Sequence, residues 1–187
     1  RNVNVPLILF PGSVLQLHKD VDAILFMSLI SGRNPEYLIG QQVIAAPQIK
    51  HLGIEPISTG YMLIDGGNVT SVAYMSNTKP IPAEKIDIGV ATAMAGELLG
   101  HKLIYLDAGS GAKFGVSAEM IAGVKQSVKV PLIVGGGINT PKKVEVAAAA
   151  GADLVVVGNA VEKDPSILNE MVSALKININ ETCSNLK

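Results

Sequence analysis

The sequence predicts an α/β fold: a parallel (β/α)8 TIM-type barrel whose first one or two βα units are absent from the 187 residues. Three observations predict it. Short β-rich runs alternate with helical patterns along the chain, and a repeated strand–helix–strand order means parallel strands joined by right-handed crossovers. The β-rich runs, such as Ala23 to Met27 and Leu154 to Val157, are continuously apolar, as strands buried on both faces are. Glycine clusters follow three successive strands near the C-terminus, where barrels place their functional loops.

Each element has a local warrant. Pro6 to Phe10 reads as a strand stopped by Pro11-Gly12, and Ala23 to Met27 as the next strand. Between Gly12 and Asp22 there is room for a turn of helix at most, so the outer helix ring has a gap after Gly12. Asn34-Pro35 offers an N-cap and a first-turn proline for a helix that stops at Gly53 and is expected to break near Pro47. Thr59 to Asp65 is a third strand, followed by a glycine turn and a second extended piece, Val69 to Met75. Pro82 opens a long helix closed by Gly100. Leu103 to Leu106 is a strand, and Ser117 caps a helix to Val128. Leu132 to Val134 runs into Gly135-Gly136-Gly137, and Thr140-Pro141 starts a helix that ends at Gly151. Leu154 to Val157 is the last strand, and a terminal helix covers Ser166 to Lys176. Asp22 and Asp153 stand at matching strand starts, the end of a barrel where residues serve stability, so both are read as structural.

Six strands are two short of a closed barrel of roughly 250 residues, so about 60 residues are expected upstream. Residues 1–178 read as one barrel domain and 179–187 as a polar tail. The composition, 48% hydrophobic and 17% charged with net charge −1, suits one compact core and offers no basic run for nucleic acid. Mean hydropathy is +0.38, yet no apolar run approaches the roughly 18–20 residues of a membrane span. The single cysteine, Cys183, allows no disulfide framework, and the polar start Arg1-Asn2-Val3-Asn4 lacks a signal-peptide pattern. Both point to a cytoplasmic location.

The chemistry should lie at Tyr105-Leu106-Asp107-Ala108-Gly109-Ser110-Gly111, at Gly136-Gly137 and at Gly158-Asn159. Consecutive glycines let backbone N–H groups approach phosphate oxygens closely, and residues 159–163 could form the short extra helix that barrels use there. Tight turns alone are the rival explanation. Three clusters on successive strands, all at one end, favour phosphate. Tyr105 and Asp107 share a strand face, and Asp107 can accept a proton from a substrate hydroxyl at what should be a solvent-filled mouth. Asp65 reads as a turn former. His18, His51 and His101 are scattered without metal-ligand spacing. Arg33 is either a phosphate or diphosphate partner or a solvated loop residue. Lys113, Lys142 and Lys143 read as surface charge.

These segments resemble the glycerol-phosphate-binding motifs of the geranylgeranylglyceryl phosphate synthases and their heptaprenyl relatives, as do Leu9 to Ser13, Phe26 to Pro35 and Ala45-Ala46-Pro47. The resemblance covers nearly the whole chain. It implies a prenyltransferase that joins sn-glycerol 1-phosphate to a polyprenyl diphosphate, geranylgeranyl above all, and releases pyrophosphate in lipid biosynthesis. It assigns residues 105–111, 136–137 and 158–159 to glycerol phosphate. At Asp107, where the family commonly has glutamate, it implies a group acting on the glycerol hydroxyl, with Tyr105 beside it. It implies Mg2+, with ligands expected upstream of Arg1. A homo-oligomer and transient contact with a membrane surface are further expectations. The rival functions are an isomerase or lyase on another phosphate-binding barrel, and a truncated barrel that only binds phosphate.

Overall fold

The computed structural model describes residues 4–13 and 16–184, with side chains through residue 175; the reading of Arg1 to Val3 and the side chain of Cys183 lie outside the described part. One six-stranded sheet forms, all parallel, in the order β1 (Ile8–Leu9), β2 (Ala23–Leu29), β3 (Glu55–Leu63), β4 (Leu103–Asp107), β5 (Leu132–Gly135), β6 (Leu154–Val155). Every neighbour in the sheet is the next strand in sequence, as the repeated crossover requires.

The sheet curls as a barrel wall does. Neighbouring strands lie about 4.8 Å apart, so on a flat sheet β1 and β4 would stand roughly 14 Å apart. The Phe10 ring, one residue past β1, instead sits 5.2 Å from the Tyr105 ring of β4. Strand alternation then sorts the side chains. Leu25, Leu29, Tyr61, Leu63, Leu103, Tyr105 and Ile133 pack together on the concave face. Their alternates Met62, Ile104, Leu106, Leu132 and Val134 face outward, onto helices α3 (Ile86–Leu98), α4 (Ala118–Ser127), α5 (Pro141–Ala149) and α7 (Ile167–Ser184). Ile24 packs on α1 (Gln41–Leu52) through Ala45 and Ile49. No helix lies between β1 and β2 among the described residues, so the gap in the outer ring is present.

The two strand-start aspartates do the same job in two units. Asp22 Oδ2 accepts from the Leu7 amide at 2.7 Å, and Asp153 Oδ2 from the Leu132 amide at 2.7 Å. Each fastens the beginning of the preceding strand, and Lys125 completes the second with a 2.6 Å ion pair.

Five local expectations need correction. Residues 69–75 are not extended: α2 (Ser71–Ser76) forms because the Thr70 hydroxyl accepts from the Ala73 amide and Asn77 closes the helix in the left-handed region. Capping there outweighs the β-preference of Val72 and Tyr74. Pro47 does not break α1, which is continuous; the irregularity is a π-helical turn before it, Glu36–Gly40, held by the Asn34 side chain at the Glu36 amide. Helix α3 starts at Ile86 rather than Pro82, because Ile81 is bound to the end of β3 by hydrogen bonds with Leu63 and Asp65. Strand β6 stops at Val155, and α7 runs past Lys176 to Ser184.

Candidate active site

The C-terminal ends of β4, β5 and β6 open into one cavity of about 670 Å3. Tyr105, Asp107, Ser110, Gly111, Gly136, Gly137, Gly158 and Asn159 all line it, so one rim brings the three glycine clusters together. Gly111, Gly136 and Gly137 have φ of +74°, +78° and +68°, a region closed to most side chains. At Gly136 the crowding is as decisive as the dihedral: a Cβ there would stand 2.5 Å from Asp107 Oδ1 and from the Gly109 nitrogen. Among the described residues, the amides of Ser110, Gly111, Gly136 and Gly137 have no protein acceptor. Ser110 Oγ reaches Asn159 Oδ1 at 3.1 Å, linking the first loop to the third. Asn159 begins the short helix α6 (Asn159–Lys163).

Three residues of the Tyr105–Gly111 segment do not reach the cavity. Leu106 alternates to the outer face and is fully buried in the helix layer, and the Ala108 side chain is buried as well. The Gly109 amide is already engaged, donating to Asp107 Oδ1 at 2.7 Å. Lys143 also differs from a surface charge: from α5 its Nζ donates to the Gly137 carbonyl at 2.7 Å and braces the second glycine loop. Lys142 is the surface residue of the pair, bridged to Glu145.

Asp107 sits at the inner wall rather than in an open mouth, only 7% exposed. The curl of the sheet covers it with Tyr61, whose hydroxyl donates to Oδ2 at 2.5 Å. Burial raises its pKa, against the Tyr61 and Gly109 hydrogen bonds, which lower it. Burial also pushes both phenols up, Tyr61 and Tyr105 alike, with the Asp107 charge adding to it. Both tyrosines are therefore neutral donors at ordinary pH. Sequence reasoning missed Tyr61. It is one apolar-looking residue in a β-rich run, and only the register that sets it opposite Tyr105 reveals its partner.

A second, apolar groove of about 220 Å3 lies where the helix ring is open. Strand β1 pairs with Ala23 and Ile24, and beyond them the β2 edge has no strand partner, with the Gln42 side chain donating to the Met27 carbonyl. The groove runs along that edge, walled by Leu25, Met27, Ala45, Ile49, Tyr61 and Phe10. Phe10 also lines the polar cavity, so the two spaces meet there, and Tyr61 on the groove wall reaches Asp107 on the cavity wall through its hydroxyl.

The remaining candidates have local roles. Asp65 Oδ1 accepts from the Gly67 amide, as a turn former does. Arg33 donates to the carbonyls of its own loop, Gly32 at 2.7 Å and Ile30 at 3.3 Å. His101 meets Ser58 Oγ at 3.0 Å, and its partial burial lowers its pKa.

The PcrB family model matches residues 1–177. The chain belongs to the PcrB family. A geranylgeranylglyceryl phosphate synthase of Chitinophaga pinensis is 54% identical over 172 residues, 92% of this chain and 68% of the relative. One of Spirosoma linguale is 53% identical over 94% of this chain and 71% of the relative. Among solved structures, the (S)-3-O-geranylgeranylglyceryl phosphate synthase of Thermoplasma acidophilum, in complex with sn-glycerol-1-phosphate, superposes with a TM-score of 0.87. It is 34% identical, and the match covers 93% of this chain and 71% of that one. Family membership favours a prenyltransferase over the isomerase or lyase alternative and agrees with the barrel sheet. No helix of the described residues is long and apolar enough to cross a membrane.

Proposed function

We propose that this family member transfers a polyprenyl group, geranylgeranyl in the first instance, from its diphosphate to sn-glycerol 1-phosphate. The observation that carries the reading is a polar, glycine-lined cavity with one buried carboxylate, Asp107, beside an apolar groove that shares Phe10 with it. Each space suits one substrate. Unpaired amides on Ser110, Gly111, Gly136 and Gly137, with Gly158 and Asn159 opposite, fit a phosphate held by backbone N–H groups. The apolar groove fits a prenyl chain.

In the reaction, the hydroxyl oxygen of glycerol phosphate forms a bond to C1 of the prenyl group. The bond from C1 to the diphosphate oxygen breaks, and the electron pair leaves with pyrophosphate. The hydroxyl proton passes to Asp107, which must be ionised to receive it. Tyr105 flanks the same point from the same strand face.

The family also implies Mg2+. The described residues do not fit a site for it: Asp65 closes its own turn, and no group of three His, Cys, Asp or Glu side chains comes together. Exposed Ile39, Val43 and Ile44 on one side of the first helical segment support a homo-oligomer, which light scattering tests. The single cysteine supports a cytoplasmic location.

Incubating the native protein with geranylgeranyl diphosphate, sn-glycerol 1-phosphate and Mg2+ tests the main reading. The expected result is an ether product and pyrophosphate in equal amounts. Phosphate binding without product would leave only the non-catalytic barrel.

A further inference from the structure

We propose that Tyr61 is a positioning residue for the transfer, its hydroxyl reaching from the wall of the apolar groove to fix the Asp107 carboxylate in the adjoining polar cavity. The inference rests on the prenyltransferase reading above. Tyr61 is on β3, in register with Tyr105 on β4, so Asp107 is its diagonal neighbour on the concave face. A long aromatic side chain spans such a diagonal. The hydroxyl meets Asp107 Oδ2 at 2.5 Å, and the Gly109 amide holds Oδ1 at 2.7 Å. With one donor on each oxygen the carboxylate cannot swing, yet it keeps free lone pairs for a substrate hydroxyl.

The ring is fixed as firmly as the hydroxyl. It stands edge-on to Tyr105 with centroids 5.3 Å apart, and Phe10 lies 6.2 Å away. Its face walls the apolar groove, while its oxygen touches a carboxylate that lines the polar cavity. One side chain therefore links the wall of the groove to the carboxylate of the polar cavity. A donated hydrogen bond favours the ionised carboxylate and so offsets its burial. Few other groups can do so. Tyr105 is the titratable neighbour on β4, β5 presents glycines, the loop after β1 presents Phe10, and α6 sets Glu162 and Lys163 on the cavity wall.

The test is the pH dependence of kcat/KM for prenyl transfer by the native protein and by Tyr61→Phe, which keeps the ring. Loss of a hydrogen bond to a charged group should lower plateau kcat about tenfold or more and move the acid limb up by about one pH unit. The KM for glycerol phosphate and the melting temperature should change little. Incorporating 3-fluorotyrosine at position 61, a stronger donor of the same shape, should move the limb the other way, which covers the case of a Tyr61→Phe protein that folds poorly. An active parent whose acid limb stays put in both variants overturns the positioning role alone. A parent with no prenyl transfer at any pH overturns the functional reading, and the role of Tyr61 with it.

Discussion

The two spaces that meet at Phe10 are built by opposite means. The cavity over β4–β6 is made of backbone: positive-φ glycines, unpaired amides and a carbonyl braced by Lys143. The groove beside β2 is made of side chains, drawn from the loop after β1, from β2, β3 and α1, with no special dihedral. A compact anion can be recognised by a few N–H groups at fixed positions, and only glycine lets the chain present them. A long hydrocarbon offers nothing to point at, so any wall of suitable shape serves. The backbone-built cavity should be intolerant of single atoms, and the groove tolerant of them.

Asp107→Asn separates the chemistry from both spaces and should have the largest effect. Turnover should fall by about 10²–10⁴, the usual worth of a positioned proton acceptor, with the KM for glycerol phosphate little changed. Kinetics with both substrates varied would read this. In the parent, activity should rise with pH along a limb lying above the ordinary carboxylate range, because burial raises this group. Stability has the opposite slope. A carboxyl raised above its unfolded value binds more protons in the native state, so stability falls as pH climbs through that window. Asparagine keeps an acceptor for Gly109 and has no charge to bury, so its melting temperature should equal or slightly exceed the parent's at neutral pH. Unchanged turnover would remove Asp107 from the mechanism.

The same contrast explains what could be read from the sequence. Gly136-Gly137 and Gly158-Asn159 are legible because glycine after a strand has few other uses, and the strands themselves because Leu103 to Leu106 and Leu132 to Val134 are apolar on both faces. Met27, Ala45 and Ile49 carry no such mark, since a groove wall and a core use the same residues; only the missing helix after Gly12 hinted where the groove is. Tyr61 and Lys143 were illegible for a related reason. Their roles depend on partners 46 and 6 residues away, which register and loop shape select. Helix α2 was misread because its cap, Thr70, lies in a stretch whose β-preference points the other way.

Gly136→Ala tests the intolerance of the backbone-built cavity. The added Cβ would meet Asp107 Oδ1, the Gly109 nitrogen and, at 2.6 Å, the Ala108 nitrogen, all at a φ of +78°. Left-handed backbone and overlap together should cost about 2–4 kcal/mol, seen as a lower denaturation midpoint, and glycerol phosphate binding should fail with it. A variant as stable and active as the parent would mean the loop is not held as described.

Ala45→Leu tests the groove. Three added carbons would narrow its α1 wall, and because the space is open the stability loss should stay at or below about 1–3 kcal/mol, the range for a filled core. The KM for the prenyl diphosphate should rise about tenfold, the equivalent of roughly 1.4 kcal/mol, while that for glycerol phosphate holds. Equal change in both would show that the two spaces are not separate sites.

Gly158→Ala should have the smallest effect on the fold and gives the finest resolution. Unlike Gly136, Gly158 has no positive φ, and a Cβ there would meet no protein atom within 4 Å. Stability should therefore stay within about 0.5 kcal/mol of the parent, as for a surface change. Yet the residue lines the same polar cavity, across from Ser110 and Gly136. If the phosphate lies against this third loop, the methyl group occupies its space, and the KM for glycerol phosphate should rise by up to about tenfold, the worth of one hydrogen bond to a charged group. Calorimetric titration with glycerol phosphate beside a thermal melt distinguishes the outcomes. Weaker binding with an unchanged melt assigns the glycine to the ligand. An unchanged affinity would confine phosphate recognition to the loops after β4 and β5 and leave Gly158 as the turn that starts α6.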